Sequence, residues 1–390
     1  MNMNKNIKYL SYLVVLLVAF SCKKPYLPDL AATANNYLVV EGFINGGNDS
    51  TFIKLSRTVN LANSVTTAPE RGAGVTVEGN GKTYQLNEIK AGVYTALPLN
   101  LDVSQKYHLR IRLANGKEYL SDDSEVKVTP PVDTVTYQTK SDGLHIYASA
   151  HDPANNTRYY RWEYNETWLF HSKYISNYKV MNGDVVPRTV DEQIFTCFAN
   201  HTSSTVALAS TTKLASDVVS NAPITNIIPS SEKISMRYSI LVKQYALTKE
   251  AFDFWENLRK NTESLGSIFD ALPSEIKGNV HNTANAEEPV IGFVSVGTMS
   301  TKRIFINRDD LPREWMLQYP YDCSQDSTLY LNPTTKSNDV AAYIISGIYL
   351  PTYAITGPMG GPAIGYGRAS YQCADCTLRG YKRRPDFWRD

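Results

Sequence analysis

Five cysteines, six histidines and several adjacent acidic pairs are the residues of this chain that could do chemistry. The cysteines are Cys22, Cys197, Cys323, Cys373 and Cys376. With Cys22 set aside, for reasons given below, four remain, an even number that suits two disulfide bonds in an oxidising compartment. Four cysteines allow three pairings, and sequence does not choose among them. Bonds from Cys373 and Cys376 back to Cys197 and Cys323 would close large loops, each worth roughly 4–5 kcal/mol in the chain-entropy description. A zinc site of four thiolates is the competing chemistry, but it normally takes two close pairs, and only Cys373 and Cys376 are close. A redox-active Cys-x-x-Cys wants a thioredoxin-like βαβ setting, which the C-terminal stretch does not offer.

The acidic pairs include Asp122-Asp123, Glu287-Glu288 and Asp309-Asp310. A glycosidase needs two acids about 5–10 Å apart across a cleft, and sequence neighbours do not supply that, so the pairs read as surface loops. Asp309, Asp310, Asp322 and Asp326 together could hold calcium. His151 stands beside Asp152, a base with a carboxylate neighbour. Adjacent strand residues face opposite ways, so this pair reads as turn chemistry ahead of Pro153. His108, beside Arg110 and Arg112, reads as part of a solvated face. There is no His-Glu-x-x-His, Gly-x-Ser-x-Gly, phosphate loop or EF-hand loop. Gly365-Tyr366-Gly367 fails as a dinucleotide fingerprint because Ser370 holds the sixth position. No cofactor, no metal and no catalytic residue is implied.

Two stretches look like contact surfaces instead. Tyr159, Tyr160, Trp162, Tyr164, Trp168 and Phe170 put aromatic rings on both faces of one strand; one face is core, and the other could stack a ligand. Residues 351–372 are rich in Gly and Pro and carry Tyr353, Met359, Tyr366 and Tyr371, a composition suited to adaptable interfaces. Trp168, Tyr353, Tyr366 and Tyr371 are therefore the ligand- or partner-contact candidates. A basic tail, Arg379 to Arg389, is expected to be held by Phe387 and Trp388.

These residues must be placed by a mainly β framework. From Tyr37 the pattern has period two. Leu38, Val40 and Ile44 share one face, and Val75 and Val77 lead through Gly79-Asn80-Gly81 to Tyr84 and Leu86. Tyr107, Leu109, Ile111 and Leu113 alternate with polar residues before Asn115-Gly116, the pair best suited to a two-residue hairpin turn. Short strands this dense predict an immunoglobulin-like β-sandwich over 37–129. Thr129-Pro130-Pro131 marks a boundary. Residues 132–390 predict a second, larger β-sandwich-like domain, with strands near 144–148, 160–164, 234–242, 290–296, 303–306 and 341–349. One short helix follows Thr248, an N-cap flanked by the staple pair Leu247 and Phe252, and should lay Phe252 and Trp255 on the sheet.

Residues 1–21 have the order of a signal peptide: Lys5 and Lys8, an apolar run from Leu10 to Phe20, then small residues ahead of Cys22. The run is too short for a permanent span. A cysteine directly after the small residue resembles a bacterial lipoprotein signal, in which Cys22 is lipidated and 22–36 becomes a tether. Removing 1–21 takes the net charge from +1 to −1, which leaves no electrostatic footprint for nucleic acid.

Further motifs resemble a known family. Cys373-Ala374-Asp375-Cys376-Thr377-Leu378-Arg379-Gly380, followed by Arg384-Pro385-Asp386-Phe387-Trp388, is similar to the closing signature of the domain of unknown function 4249 family. So are Tyr245 before the helix, Gly266-Ser267-Ile268-Phe269, Gly278-Asn279, Gly292-Phe293 and the opening Val39-Val40-Glu41-Gly42. The family usually has two glycines after the arginine, whereas here Gly380 is followed by Tyr381. The resemblance implies an outer-membrane-associated lipoprotein, on the periplasmic or cell-surface face, often encoded near TonB-dependent receptors. It carries over no catalytic residue. The expected function is a lipid-anchored envelope binding or assembly module, accessory to a TonB-dependent outer-membrane receptor or another envelope protein. The alternatives are a glycan- or peptide-acting hydrolase and a cell-wall-binding structural lipoprotein.

Overall fold

The computed structural model describes residues 36–59, 68–263 and 278–389. The signal, Cys22, most of the tether and Gly266-Ser267-Ile268-Phe269 lie outside them. The chain is mainly β, as its period-two patterning predicts.

The first unit is a long sheet folded around one core. Its strands run in the order 280–282, 118–121, 106–112, 74–79, 82–90, 93–96, 51–57, 38–45 and 290–291. Strand Lys82–Lys90 crosses between layers. Its first half pairs with Gly74–Gly79 and its second half with Val93–Ala96. Inward positions are those the alternation selects: Leu38, Val40, Ile44, Val75, Val77, Leu109 and Ile111 are all buried.

Three of these elements correct the sequence reading. The stretch 290–296 joins this first unit, not the second. Val290–Ile291 and Ser295–Gly297 run parallel to Leu38–Asn45, and Val280–Asn282 adds to Glu118–Ser121. Residues 37–129 thus share their core with a return segment from far along the chain. Alternation gives a strand's faces but not its distant partner. The Asn115-Gly116 hairpin is not a two-residue turn. Leu113 and Lys117 close it, and only Gly116 has positive φ (84°). The Asn115 side chain accepts from the Lys117 N–H instead.

The return segment explains two of the glycine motifs. A Cβ on Gly292, whose φ is 137°, would stand 1.9 Å from the Val40 carbonyl oxygen, and one on Gly278 would stand 1.8 Å from the Gly292 carbonyl oxygen. Three backbones are stacked with no room for a side chain. Asn279 completes the seam: its amide donates to Val294 O (2.9 Å) and accepts from Val294 N (2.8 Å). Gly292→Ala is expected to destabilise the protein by roughly 3 kcal/mol or more, since backbone rather than a movable side chain is in the way. Chemical denaturation of the variant checks this.

The second unit packs two sheets on one core. One is 132–140, 143–151 and 218–227; the other is 196–202, 159–171, 237–246 and 299–307. Tyr160, Trp162, Tyr164, Tyr238, Ile240 and Val242 fill the space with Leu144 and Ile146. Their polar tips are satisfied: Trp162 Nε1 donates to Gln244 (2.9 Å), and Tyr164 Oη to Thr225 (3.0 Å). Ile234, expected at the start of the strand Arg237–Ala246, instead ends a 3-10 turn, Glu232–Ile234. The boundary at Thr129-Pro130-Pro131 is tied down. Gln244 donates to Pro130 O, and Thr129 Oγ1 accepts from Ala246 N.

The helix is Lys249–Glu263, with Thr248 Oγ1 accepting from Ala251 N (3.2 Å). It lies where expected. Phe252 meets Tyr159 (5.0 Å), and Trp255 covers the Arg161 guanidinium (4.2 Å), whose other face meets Tyr245 (4.7 Å). Phe43 and Phe293 of the first unit join this cluster, so the helix seals the contact between units.

Two corrections concern the C-terminal part. Residues 351–372, whose Gly and Pro content predicts no regular element, are largely ordered as strand. Leu350–Thr356 and Ala363–Ala369 form a hairpin, joined by Gln325–Leu329 in a three-stranded sheet. Glycines within the strand Ala363–Ala369 hid its pattern. The stretch expected as a strand at 341–349 is a π-helical turn, Val340–Ile345. Val340 and Ile344, four apart, are its buried residues, a helical spacing that the β-branched composition masked.

Candidate functional site

Cys376 bonds Cys197, and Cys323 bonds Cys373, each with Cα atoms 5.7 Å apart. The two C-terminal cysteines therefore reach back to the two earlier ones, the large-loop arrangement considered above. Cys376 pins the closing motif to strand Thr196–Thr202. The rest of the motif then has a mechanical reading. Asp375 accepts from Thr377 N (2.8 Å). Arg379 pairs with Glu232 and lies over Phe170 (4.8 Å). Gly380 leaves room for a close approach, since a Cβ there would meet Phe198 O at 2.4 Å. Tyr381 and Phe198 exchange both backbone hydrogen bonds. Trp388 then packs edge-on against Phe198 (5.0 Å) and Phe305 (5.5 Å), while Arg303 sits 3.6 Å from the Phe387 ring centre. The signature is a clasp around the edge strand Thr196–Thr202: Cys376 and Arg379 meet the face that carries Phe170, and Trp388 meets the opposite face at Phe198.

The contact candidates divide. Tyr353 and Tyr371 are exposed on the C-terminal hairpin and the turn after it. Tyr366 is not available for contact. It is buried with Val340 and Ile344, its ring is 5.1 Å from that of Tyr178, and burial pushes its phenol up to about 12. It sits inside a small core that the sequence offered no way to foresee, because that core is completed by the hairpin 178–187. Trp168 is half-buried with Lys233 5.5 Å over its ring. On the same strand, Tyr160, Trp162, Tyr164 and Phe170 are core. Cys22 lies outside the described residues.

A polar constellation beside Trp168 was not anticipated. Glu166 is fully buried on the core face of its strand. Its carboxylate accepts from Tyr238 Oη (2.7 Å), His201 Nδ1 (3.0 Å) and Lys233 Nζ. Burial, with the Glu166 charge beside it, holds the Tyr238 phenol far above its ordinary range. With three donors around it, Glu166 acts as a lock that ties the 232–234 turn to the sheet.

Several of the other acids also have partners. Asp122 meets His281 (3.2 Å), Asp123 meets His108 (2.8 Å), and Glu288 accepts from Lys117, Tyr119 and Asn282. Asp310 caps Asn307, and Asp326 faces Arg368 (3.7 Å). Among the described residues no group of three His, Cys, Asp or Glu is spaced to hold a metal ion. Asp152 performs the turn chemistry alone, accepting from the N–H groups of Ala154, Asn156 and Thr157. His151 pairs across the sheet with Asp133 (2.7 Å).

Five of the six histidines thus face a carboxylate, His145 through Asp142 (2.8 Å). His171 does not. It stacks on Phe195 (4.3 Å) and lines a pocket of about 100 Å³ with Ser235, Met236, Trp315 and Tyr319. A wider cleft of about 490 Å³ separates the two units, rimmed by Asp122, Asp123, Glu125, Arg158 and Lys249 over Tyr159 and Phe293. The pocket residues Trp315 and Tyr319 lie in a non-periodic stretch between prolines. Such rings have no regular face to be buried on, and that was the one signal available.

The histidine environments give opposite titrations. The Asp133 hydrogen bond and charge raise His151 above its ordinary 6.5, whereas burial lowers His171 below it. The stabilisation from His151 is complete below pH 6.5 and is lost as pH rises through its folded value. His171 works the other way: the unfolded chain binds the proton first, so stability falls as pH drops from 6.5 through the folded value. Histidine NMR titration should give the two values on opposite sides of 6.5, with Asp133→Asn returning only His151 towards it.

A family model with the description Domain of unknown function (DUF4249) matches residues 23–303. That span includes the first unit, the helix and most of the main sheet, and ends before the cysteine clasp. A comparison with curated proteins finds no match. Among solved structures, one is described as complete manganese lipoxygenase of Gaeumannomyces graminis with partial zonadhesin of Komagataella pastoris. It is 8% identical and covers 56% of this chain and 91% of its own, with a TM-score of 0.17. Chitinase ChiA74 from Bacillus thuringiensis is 10% identical and covers 48% of this chain and 27% of its own, with a TM-score of 0.14. Such scores indicate no shared fold. The glycine seam, the Tyr245 stack and the helix all fall within the matched span, and the chain belongs to the family of Domain of unknown function (DUF4249).

Proposed function

We propose that this protein is a lipid-anchored binding or assembly module of the bacterial envelope, held by acyl chains on Cys22 and accessory to an outer-membrane protein of the TonB-dependent receptor class. The observation that carries the reading is the state of the polar groups. Buried Glu166 is saturated by three donors, five histidines are tied to carboxylates, and the cysteines form two disulfides. These side chains hold the fold together. Large apolar and aromatic side chains open to solvent in the C-terminal third include Met316, Leu331, Tyr353 and Met359. Exposed apolar groups of this kind mark a contact surface where they form a contiguous patch. Aromatics and methionines are also enriched at the core of protein interfaces.

The test is to purify the tagged protein from detergent-solubilised envelopes. The reading expects one outer-membrane protein to co-purify in near-equal amount, and Cys22→Ala to shift the chain out of the membrane fraction. No stoichiometric envelope partner, or a Cys22→Ala chain that stays in the membrane, would contradict it.

A further inference from the structure

The pocket around His171 holds the one histidine with no carboxylate partner among the described residues. The imidazole has a lowered affinity for protons, has no carboxylate partner and makes no hydrogen bond to the protein. The Ser235 hydroxyl in the pocket wall is also without a partner. An unsatisfied buried hydroxyl costs about 1–3 kcal/mol, so the Ser235 hydroxyl is a group that a ligand entering the pocket could satisfy.

The walls are built, not left over. Arg308 donates to the carbonyls of Pro312 (3.0 Å) and Trp315 (2.7 Å), which fixes the loop that carries Trp315. Phe195 backs the imidazole, and Tyr319 closes the other side. Charge is absent from the interior in the sense that matters for a ligand. The Arg308 guanidinium is occupied by carbonyls, Glu232 and Arg379 neutralise each other, and Lys173 lies over the Tyr319 ring (5.6 Å). A charged ligand would find no free counter-charge. Met236 and Leu317 are in the wall, and Ile228 and Met316, next in sequence to Pro229 and Trp315, are exposed. Methionines make such a rim adaptable. The volume of about 100 Å³ is the size of one aromatic ring, not of an extended metabolite.

We propose that this pocket is an anchor socket for a single tyrosine-like side chain of the partner protein, with the phenol hydrogen-bonded to His171 and the ring held between Trp315 and Tyr319. An aromatic anchor seated in a desolvated pocket with an apolar surround is how hot spots of protein interfaces are built. A neutral imidazole offers the acceptor that a phenolic hydrogen needs. The assignment of the ring to a partner protein rests on the function proposed above, whereas ring binding by the pocket stands without it.

The test has two arms. In the first, the whole polypeptide downstream of Cys22 is labelled at histidine Cε1 and titrated with p-cresol, then with toluene. The expected result is a saturable millimolar shift of the His171 signal by p-cresol. Toluene should bind at least about fivefold more weakly, and the preference should vanish in His171→Phe. No saturable shift at His171, or equal binding of the two probes, overturns the socket. In the second arm, His171→Phe and the rim variant Met316→Lys are used to capture the envelope partner. Capture reduced at least tenfold, with unfolding midpoints unchanged, supports the anchor. Undiminished capture overturns it. Cresol binding without any captured partner overturns the assignment to a partner while leaving the ring site standing.

Discussion

Replacing Cys197 and Cys376 together by serine is expected to lower stability by about 5 kcal/mol, and Cys323 with Cys373 by about 4 kcal/mol, from the loops these bonds close. The sequence separations are 179 and 50. The first bond has the larger effect for a second reason. It alone fixes the closing motif to strand Thr196–Thr202, and the Arg379–Glu232 pair, the Tyr381–Phe198 exchange and the Trp388 packing all lie downstream of it. Without it, those contacts must hold a chain end by themselves. The Cys197/Cys376 variant should therefore also expose Trp388 below the main unfolding transition. Urea denaturation followed by tryptophan emission, with Trp388→Phe as the reference, reads both effects. Equal losses for the two bonds with no early emission change would remove the clasp from this account.

Glu166→Ala is expected to cost 3–5 kcal/mol, the range for breaking one side of a buried ion pair. The carboxylate is wholly enclosed, and its loss strands the Tyr238 hydroxyl inside the core. Glu166→Gln should recover little. One end of the amide is a donor, and it would face the Tyr238, His201 and Lys233 donors. Lys233→Met should cost much less, about 1 kcal/mol or below, because the lysine is partly solvated and water screens it. A double-mutant cycle between Glu166 and Tyr238 should show strong coupling. A well-folded Glu166→Ala protein of unchanged midpoint would mean that the constellation is not a lock.

The elements that were legible in the sequence are those specified locally. Leu38, Val40 and Ile44 found their face by alternation, and Thr248 and Phe252 placed the helix by capping. Features that depended on distant partners were not legible. Val290–Val296 reads as a strand in either unit. Only the close stacking of Gly292 on Val40 shows which one, and a glycine does not name what approaches it. Val340–Ile345 carries β-forming residues that tertiary packing holds in a π-helical turn. Tyr366 looked like a loop aromatic because its core is assembled from three separate segments. The clasp residues were visible as a motif, but their role required knowing that Cys376 reaches Cys197. The His171 pocket gave least away, since what sets it apart is the absence of partners that its five sister histidines have.

Under the function we propose, the exposed C-terminal third grips another protein. Site-specific photo-cross-linking in intact cells tests that most directly. A benzophenone side chain placed singly at Met316, Tyr353 or Met359 should give one adduct with the same outer-membrane protein. The same probe at Ile89 or Leu97, exposed on the first unit, should give none. No adduct from any of the three C-terminal positions, with adducts from the first unit or from neither, would contradict the account.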